Sequence, residues 1–424
     1  MNRKERRRQQ KLDARHGPFS AEQKAPDPRE FAAALQRASE TLSVGRLTEA
    51  VTLIDDILLK APNHPDGLNL KAGVLMQSGD TQRAIKVLTK VASLVPDFAQ
   101  AHFNLGTALN ADNKQKRALR SLRRALELDP AYTDAHYNLA NAYRQLGNLA
   151  DAIEHYEKAL EQHPNHSGAA TNLASAHLEL GNALPAREAS EQALISDPGN
   201  RDAISFCAIA STELGDAANA RYLLNPEQLI RPYPIRACEG FDTIAAFNAA
   251  LVEHVLTHPT LTKNAHNKAT RNGAQTENLA LGEQGPIAAL QGLIGDALDQ
   301  YLASVAKLDH PYPRLIPKLG KLDIWGTVLD AQGHQASHMH RAAWVSGVYY
   351  AKLPDVMKST SHHNDGWIEF CRPPDTFACQ KSHEVHVIEP KEGLMVLFPS
   401  YVYHRTIPFV SDQQRISIAF DLLE

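Results

Sequence analysis

The chain has 424 residues, of which 43% are hydrophobic and 22% are charged, and its formal net charge is −4. This balance is typical of a globular chain of two or three domains and indicates neither nucleic acid nor a membrane as a partner of the whole molecule. The four cysteines form no C-x-x-C pair, and no apolar run approaches the roughly 18–20 residues of a membrane span. A disulfide-rich secreted class and a membrane-spanning class are therefore excluded, and a cytoplasmic location is expected.

The first element is a basic N-terminal tail, residues 1–30. Its first sixteen residues carry seven lysine or arginine side chains, and no apolar core of the kind found in secretory signals follows them. Because like charges repel and few apolar groups are available to pack, the tail is predicted to be disordered. A weak contact with RNA or another polyanion is the alternative interpretation.

A period of 34 residues follows the tail. Three residue types recur in one phase: Gly45, Gly79, Gly147, Gly181 and Gly215 with Asn113 in the remaining slot; Ala50, Ala84, Ala118, Ala152, Ala186 and Ala220; and Pro62, Pro96, Pro130, Pro164 and Pro198. Glycine or asparagine tolerates the left-handed turn that ends a first helix, alanine lets two helices approach closely, and proline ends a second helix. The period therefore predicts repeated helix–turn–helix units.

These units resemble tetratricopeptide (TPR) repeats, and the clearest copy is 133–166. Residues 31–230 are expected to form an α-solenoid of about six repeats, whose concave face binds proteins. Pro226 interrupts the second helix of the last copy, which predicts an adapter to the next domain. The repeats are expected at 31–64, 65–98, 99–132, 133–166 and 167–200, with a degenerate copy from 201.

Asparagine recurs at one position on the first helices of three repeats, at Asn104, Asn138 and Asn172. An amide offers both a donor and an acceptor, so it can bind the backbone of an extended peptide without reading its side chains. The spacing resembles the asparagine ladder of some TPR proteins and predicts a peptide-binding groove. The alternative is that asparagine is simply common at this position.

The remainder, residues 231–424, is predicted to be a second domain, because the 34-residue period is lost. A helical lead-in (231–310) is expected to contain helices at 241–257 and 287–306, separated by a polar, asparagine-rich loop. After Pro311, short β-rich runs predict a jelly roll, or double-stranded β-helix, over 311–424. Strands are expected near 313–318, 321–329, 334–341, 344–352, 366–371, 384–389, 394–399, 403–408 and 415–422.

Three clusters in this domain are candidates for chemistry. His338 and His340 are two residues apart, so on a strand both imidazoles point to one face and can reach one metal. His404 follows the run MVLFPS, and Arg415 and Ser417 lie just beyond a plausible hairpin turn, SDQQ. Imidazole is a suitable iron ligand, and a guanidinium binds a carboxylate bidentately.

The order H-x-H, WVSGVYY, GWIEF, LFPS, a distal histidine and RISIAF resembles a family of 2-oxoglutarate/Fe(II) oxygenases that often follows TPR repeats in bacteria. The resemblance covers roughly 235–424 and implies Fe(II), 2-oxoglutarate and O₂ as reactants, with ascorbate as a possible aid. It implies that His338 and His404 hold the metal and that Arg415 binds the far carboxylate of 2-oxoglutarate. Ser417 would lie beside that arginine, and Tyr350 would occupy the place of a cosubstrate-binding tyrosine.

One position departs from the superfamily pattern, since His340 stands where a carboxylate ligand is usual. A triad of His338, His340 and His404 is more positive, although three-histidine iron sites exist; Asp365 or Glu369 is an alternative carboxylate whose spacing does not match. The leading expectation is an oxygenase that hydroxylates a protein or peptide held by the repeats. The alternatives are a non-catalytic TPR scaffold with a degenerate jelly roll, and a three-histidine dioxygenase that does not use 2-oxoglutarate.

Overall fold

The computed structural model describes residues 28–263, 269–280, 285–310, 312–316, 320–358 and 364–423. The chain divides into two compact units, Met1–Ala142 and Tyr143–Glu424. The predicted tail lies outside the described residues except for its last three positions, which already belong to the first helix. Among the described residues, no helix combines the length and apolar character needed to cross a bilayer.

Paired antiparallel helices make up the repeat region, as the period predicts. The helices are α1 (Pro28–Ser43), α2 (Leu47–Lys60), α3 (Pro65–Gln77), α4 (Thr81–Leu94), α5 (Ala99–Ala111), α6 (Gln115–Leu128), α7 (Thr133–Gln145), α8 (Leu149–Gln162), α9 (Ser167–Glu179), α10 (Ala183–Ser196), α11 (Arg201–Leu214), α12 (Ala217–Leu224) and the one-turn α13 (Pro226–Leu229). The division between the two units falls within α7. The α-solenoid part of the predicted fold is confirmed.

The phased residues adopt the conformations expected of them. The five repeat glycines have φ between 74° and 87°, and Asn113 has φ 55° in the slot without glycine. The phased alanines are buried, five of them completely and Ala220 to 6% exposure. Each phased proline follows the end of a second helix, and Pro226 begins α13 after α12 has ended at Leu224. Local backbone preference and close helix packing thus act together in every repeat.

In the second unit, the last repeat and the C-terminal domain share one hydrophobic core. Helix α11 is buried on all sides from Ala203 to Ser211, unlike an ordinary surface helix with one apolar stripe. Its residues Ile204 and Cys207 belong to the same apolar cluster as the strands of the sheet domain. Tyr401 also donates a hydrogen bond of 2.8 Å to the carbonyl of Leu223 on α12.

Two antiparallel sheets form the C-terminal domain, so the predicted change from a helical to a β-rich region is confirmed. The strands are β1 (Arg231–Pro234), β2 (Thr262–Lys263), β3 (Thr270–Gln275), β4 (Lys321–Gln335), β5 (Ala343–Lys352), β6 (Ile368–Phe370), β7 (His386–Ile388), β8 (Leu394–Pro399), β9 (His404–Thr406) and β10 (Arg415–Leu423). The larger sheet has the order β1-β8-β5-β10-β4-β3-β2, and the smaller has the order β7-β6-β9.

Two helices complete this domain, α14 (Ile244–Thr257) and α15 (Pro286–Val305), close to the predicted positions. On α14, Asn248 accepts a 2.6 Å hydrogen bond from the Tyr349 hydroxyl of β5. Val255 packs against Gly326 of β4, where a Cβ atom would come within 2.7 Å of it. Helix α14 therefore covers one face of the larger sheet, and the other face is left for the site.

Three predictions about this domain are wrong in detail. The described part of 313–318 belongs to a 3₁₀ turn (Tyr312–Leu315) instead of a strand, since Pro313 cannot donate to a ladder. The predicted strand 334–341 ends at Gln335, as a continuation of β4. The asparagine-rich segment was expected to be a loop, but outside 264–268 and 281–284 it contains β3, which pairs with β2 and β4 in the larger sheet.

Candidate metal and cosubstrate site

His338 and His404 face each other across an isolated antiparallel bridge. The His338 amide donates to the His404 carbonyl at 3.1 Å, and the His404 amide returns a bond to the His338 carbonyl at 2.9 Å. Their ring centroids lie 4.3 Å apart. Although His338 is in an irregular segment, this bridge places the two imidazoles side by side.

His340 completes the cluster through a different set of bonds. Its amide donates to the carbonyl of Ser400 at 3.0 Å. Its Nδ1 lies 2.7 Å from Oδ1 of Asp421 and 3.1 Å from the Ser346 hydroxyl, which itself donates to the same carboxylate oxygen at 2.6 Å. The ring is thus held between Asp421 on one side and the other two imidazoles on the other.

All three histidines present a coordinating nitrogen to the same point. The Nδ1 atoms of His338 and His404 lie 2.8 and 3.1 Å from the carbonyls of Ala336 and Val402, so each of these atoms carries a proton and donates it. The Nδ1 atom of His340 is likewise engaged, by Asp421. One ring nitrogen from each residue lies within 4.8 Å of the others. Three Nε2 lone pairs are therefore available to one metal ion.

Burial keeps the imidazoles of His338 and His404 neutral. Burial, reinforced by the neighbouring His340, lowers the pKa of His338 to about 4. Burial, followed by the neighbouring His338 and His340, holds the pKa of His404 well below its ordinary value. A metal ligand must be deprotonated, so these two imidazoles are ready to bind a metal at neutral pH without first releasing protons.

A second group of polar residues lies on regular strands of the larger sheet. Ser417 of β10 pairs with Tyr350 of β5 on one side and with Thr327 of β4 on the other. Arg415 is 1% exposed, its guanidinium carbon lies 5.0 Å from the Tyr350 ring centroid, and its Nη1 donates to the Ser417 hydroxyl at 3.3 Å. The register of the sheet thus brings together the three residues named for cosubstrate binding.

This group is polar, buried and incompletely bonded. Among the described residues, neither the Arg415 Nε nor the Tyr350 hydroxyl has a hydrogen-bond partner. Burial raises the pKa of Tyr350 to about 12, so the hydroxyl keeps its proton and can donate it. A buried cation is costly without an anion. The donors therefore fit a carboxylate that enters from outside the chain.

One face of β10 connects the two groups: its alternate residues run Arg415, Ser417, Ala419 and Asp421, and Asp421 bonds to His340. Ala419 is partly exposed although its strand neighbours are buried, so open space lies over the middle of the row. The sequence analysis missed Asp421. Continuing the period-two pattern from Arg415 and Ser417 would have identified it.

The alternative carboxylates do not join the cluster. Glu369 accepts hydrogen bonds from Arg405 at 2.6 Å and from Arg372 at 2.5 Å. Burial acts to raise the pKa of Glu369, but these bonds outweigh it and lower the pKa. Neither Glu369 nor Asp365 belongs to the histidine group found among the described residues.

A separate group of possible metal ligands consists of Glu213, Cys379 and His383. Glu213 accepts bonds from the amides of Gln380 and Lys381 and from Nε2 of His383 at 2.9 Å. Burial, then the charge of Glu213, raises the pKa of Cys379 to about 11, so its thiol stays protonated. A carboxylate with this many donors holds the 377–383 segment against α11.

The repeat asparagines lie on first helices, as predicted. Asn104 on α5 accepts from Gln100 at 2.8 Å and donates to Asn69 at 3.5 Å. Asn138 on α7 donates to the Thr107 hydroxyl at 3.3 Å. Asn172 lies on α9, in the second compact unit. In the first unit, therefore, such amides bond to polar neighbours on the same and adjacent first helices.

Comparison with known proteins gives matches in both halves of the chain. Models of tetratricopeptide repeats match residues 35–96, 106–147 and 133–166. A family model described as "Putative 2OG-Fe(II) oxygenase" matches residues 323–421, a segment that contains every histidine of the cluster together with Arg415. No curated protein matches the chain.

Several solved structures show partial similarity to this chain. The pilF protein of Pseudomonas aeruginosa is 20% identical, with a TM-score of 0.43, over 46% of this chain and 88% of its own. PilW, a type IV pilus biogenesis factor, is 19% identical, with a TM-score of 0.44, over 48% of this chain and 94% of its own. YrrB, described as a TPR protein with an unusual peptide-binding site, is 23% identical, with a TM-score of 0.35, over 40% of this chain and 88% of its own. The chain thus carries tetratricopeptide repeats within residues 35–166 and a domain of the 2OG-Fe(II) oxygenase family at residues 323–421.

Proposed function

We propose that the protein is an Fe(II)- and 2-oxoglutarate-dependent oxygenase that hydroxylates a protein or peptide recruited by its repeats. One observation carries the proposal. Among the described residues, a buried arginine with an unpartnered nitrogen lies beside an unpartnered tyrosine hydroxyl, and Asp421 on the same strand as the arginine bonds to one of three clustered imidazoles. A cation-binding cluster and a carboxylate-binding pair connected by one strand suit a metal-chelating keto acid with a second carboxylate.

Each residue has a role that follows from its surroundings. His338, His340 and His404 would hold Fe(II), and Arg415, Ser417 and Tyr350 would hold the far carboxylate of 2-oxoglutarate. When bound, iron and 2-oxoglutarate supply the activation of O₂, with succinate and CO₂ as by-products of substrate oxidation. The protein's own part is to orient these groups and to exclude water around them. Phe398 contributes to the exclusion of water, because its ring centroid lies 4.7 Å from that of His404.

The repeats supply the substrate side of the proposal. TPR arrays generally bind proteins along a concave face. The amides of Asn104 and Asn138 already bond to polar side chains of their own helix or of an adjacent one, so an extended peptide backbone would exchange these bonds for its own. Asn172, on α9 of the second unit, would bind peptide backbone through its own side-chain amide in the same way. A protein or peptide substrate is therefore favoured over a small molecule.

The two alternative functions, a non-catalytic scaffold and a three-histidine dioxygenase that does not use 2-oxoglutarate, explain fewer features of the site. A scaffold that had lost its ligands would keep Arg415 buried without a counter-ion, at a cost in stability. A three-histidine dioxygenase without a keto acid would have no use for the Arg415, Ser417 and Tyr350 group.

The test is release of succinate from 2-oxoglutarate by the full chain under Fe(II), O₂ and ascorbate. Uncoupled turnover is expected even without substrate, and Arg415→Ala should lose it by about 100-fold or more, as when a buried charged group is left unpaired. Arg372→Ala, which removes an arginine outside the cavity, is the matched control. Metal-loaded protein that releases no succinate, or an Arg415→Ala variant as active as the parent, would refute the proposal.

The substrate is sought with the same full chain. Captured proteins should contain one that gains a single oxygen atom when Fe(II), 2-oxoglutarate and O₂ are added. Asn104→Ala and Asn138→Ala together should reduce that capture. Capture that survives both substitutions would remove the asparagines from the substrate side of the proposal.

A further inference from the structure

We propose that Asp421 takes over, at one remove, the task of the carboxylate that His340 replaces, by orienting His340 and compensating the charge of the metal. Asp421 is a positioning residue in this scheme and not a ligand. The inference rests on the proposed function, because it assumes that a divalent metal binds the three imidazoles.

The geometry comes first. Asp421 accepts from Nδ1 of His340 at 2.7 Å and from the Ser346 hydroxyl at 2.6 Å, both through the same Oδ1 atom. These two bonds fix which nitrogen of His340 carries the proton. They therefore leave Nε2 as the lone pair that faces His338 and His404.

The negative charge of Asp421 lies against the histidine cluster. The residue is 8% exposed, and its ion-pair partner among the described residues is His340. A buried carboxylate needs a cation. A divalent ion on the far nitrogen of the ring would provide one, because metal binding makes the Nδ1 proton more acidic and strengthens its bond to the carboxylate.

The register of the larger sheet fixes the position of Asp421. Asp421 pairs with Ser346 of β5 in the same register that pairs Ser417 with Tyr350. Strand β10 thus carries two of the proposed cosubstrate residues, Arg415 and Ser417, near its start and the support for the metal near its end. The hydrogen bond from His340 to Asp421 places a negative charge close to the metal site. The carboxylate oxygens of Asp421 are not themselves metal ligands in this arrangement.

The test measures metal affinity instead of turnover. Co(II), used as a visible probe under anaerobic conditions, is titrated into the metal-free full chain. Asp421→Ala should weaken its binding by about 10- to 100-fold, the usual cost of losing a group that supports a metal-binding histidine. Asp421→Asn, which retains an acceptor for the His340 proton but not the charge, should fall between the parent and Asp421→Ala.

A double-mutant cycle separates this role from a general loss of structure. In the His340→Ala background, Asp421→Ala should change Co(II) affinity by less than about twofold, because no imidazole remains for it to orient. In parallel, ¹H–¹⁵N spectra of the metal-free protein should show His340 protonated at Nδ1 in the parent and shifted towards the Nε2–H form in Asp421→Ala.

The outcomes distinguish the two proposals. If the parent and Asp421→Ala bind Co(II) equally well, the positioning role is refuted and the oxygenase proposal is left intact. The same conclusion follows if Asp421→Ala weakens binding equally in both backgrounds. A parent protein that binds no metal refutes the proposed function, and with it the role of Asp421.

Discussion

The two ends of the candidate cavity are built in different ways. At the carboxylate end, Arg415, Ser417 and Tyr350 lie on paired strands, and the register of the sheet places them. At the metal end, His338 and His340 lie in an irregular segment between β4 and β5, and individual hydrogen bonds hold them. The carboxylate end is thus as rigid as the sheet, whereas the metal end depends on a few separate bonds.

The largest effect is expected at the metal end, from His404→Ala. Loss of one of three ligands should weaken Co(II) binding by more than the roughly 100-fold attributed to supporting residues. Succinate release should disappear with it. The control is His386→Ala, which removes a histidine from the outer strand β7 of the smaller sheet. Tight metal binding by His404→Ala would show that the imidazoles do not act as one site.

The next effect is expected at the carboxylate end, from Arg415→Lys. A lysine keeps the charge but cannot bind a carboxylate bidentately, so the KM for 2-oxoglutarate should rise by about 10- to 100-fold. Co(II) affinity should change by less than about threefold, since no ligand is altered. A matching fall in metal affinity would break the separation between the two ends.

Acid should lower the free energy of unfolding of the metal-free protein, because His338 at the metal end is buried in its neutral form. The pKa of His338 is lowered to about 4 in the folded protein, whereas an unfolded chain has the ordinary value near 6.5. The unfolded state therefore binds more protons between these values, and the free energy of unfolding should fall as the pH drops from about 6.5 to 4. Thermal melts of the parent and of His338→Gln test this, and the variant should show the smaller decrease. Equal slopes would mean that His338 does not carry the effect.

The smallest effects come from a matched pair of hydroxyl deletions, one at each end. Tyr350→Phe removes a donor to the proposed cosubstrate and should raise the KM for 2-oxoglutarate by roughly fivefold, from about 1 kcal/mol. Ser337→Ala removes a 2.6 Å bond from the Ser337 hydroxyl to the carbonyl of Arg372, which holds the His338 segment. It should weaken Co(II) binding by a similar factor and leave the KM unchanged. If each deletion altered both quantities, the two ends would not be independent.

The sequence predicts those parts of the molecule that are set by local rules. The glycine, alanine and proline phases predicted the repeats, because backbone preference and small size act at each position by itself. The period-two pattern of β10 predicted that Arg415 and Ser417 share a face. The strand at 334–341 was wrongly predicted because the conformation there depends on the tertiary pairing of His338 with His404, which no local pattern contains. The period-two pattern places Asp421 on the same face as Arg415 and Ser417, but its bond to His340 is also a tertiary contact that the pattern does not contain.

The shared core around α11 bears on how the two halves of the protein can be separated. A repeat array exposes apolar surface at its last helix unless something polar caps it. Here the cap is the C-terminal sheet domain itself, since Ile204 and Cys207 pack into the same cluster as its strands. Cleavage near residue 230 would therefore expose apolar surface on both products, and a lineage that lost the sheet domain would have to acquire a new terminal helix to keep its repeats from aggregating.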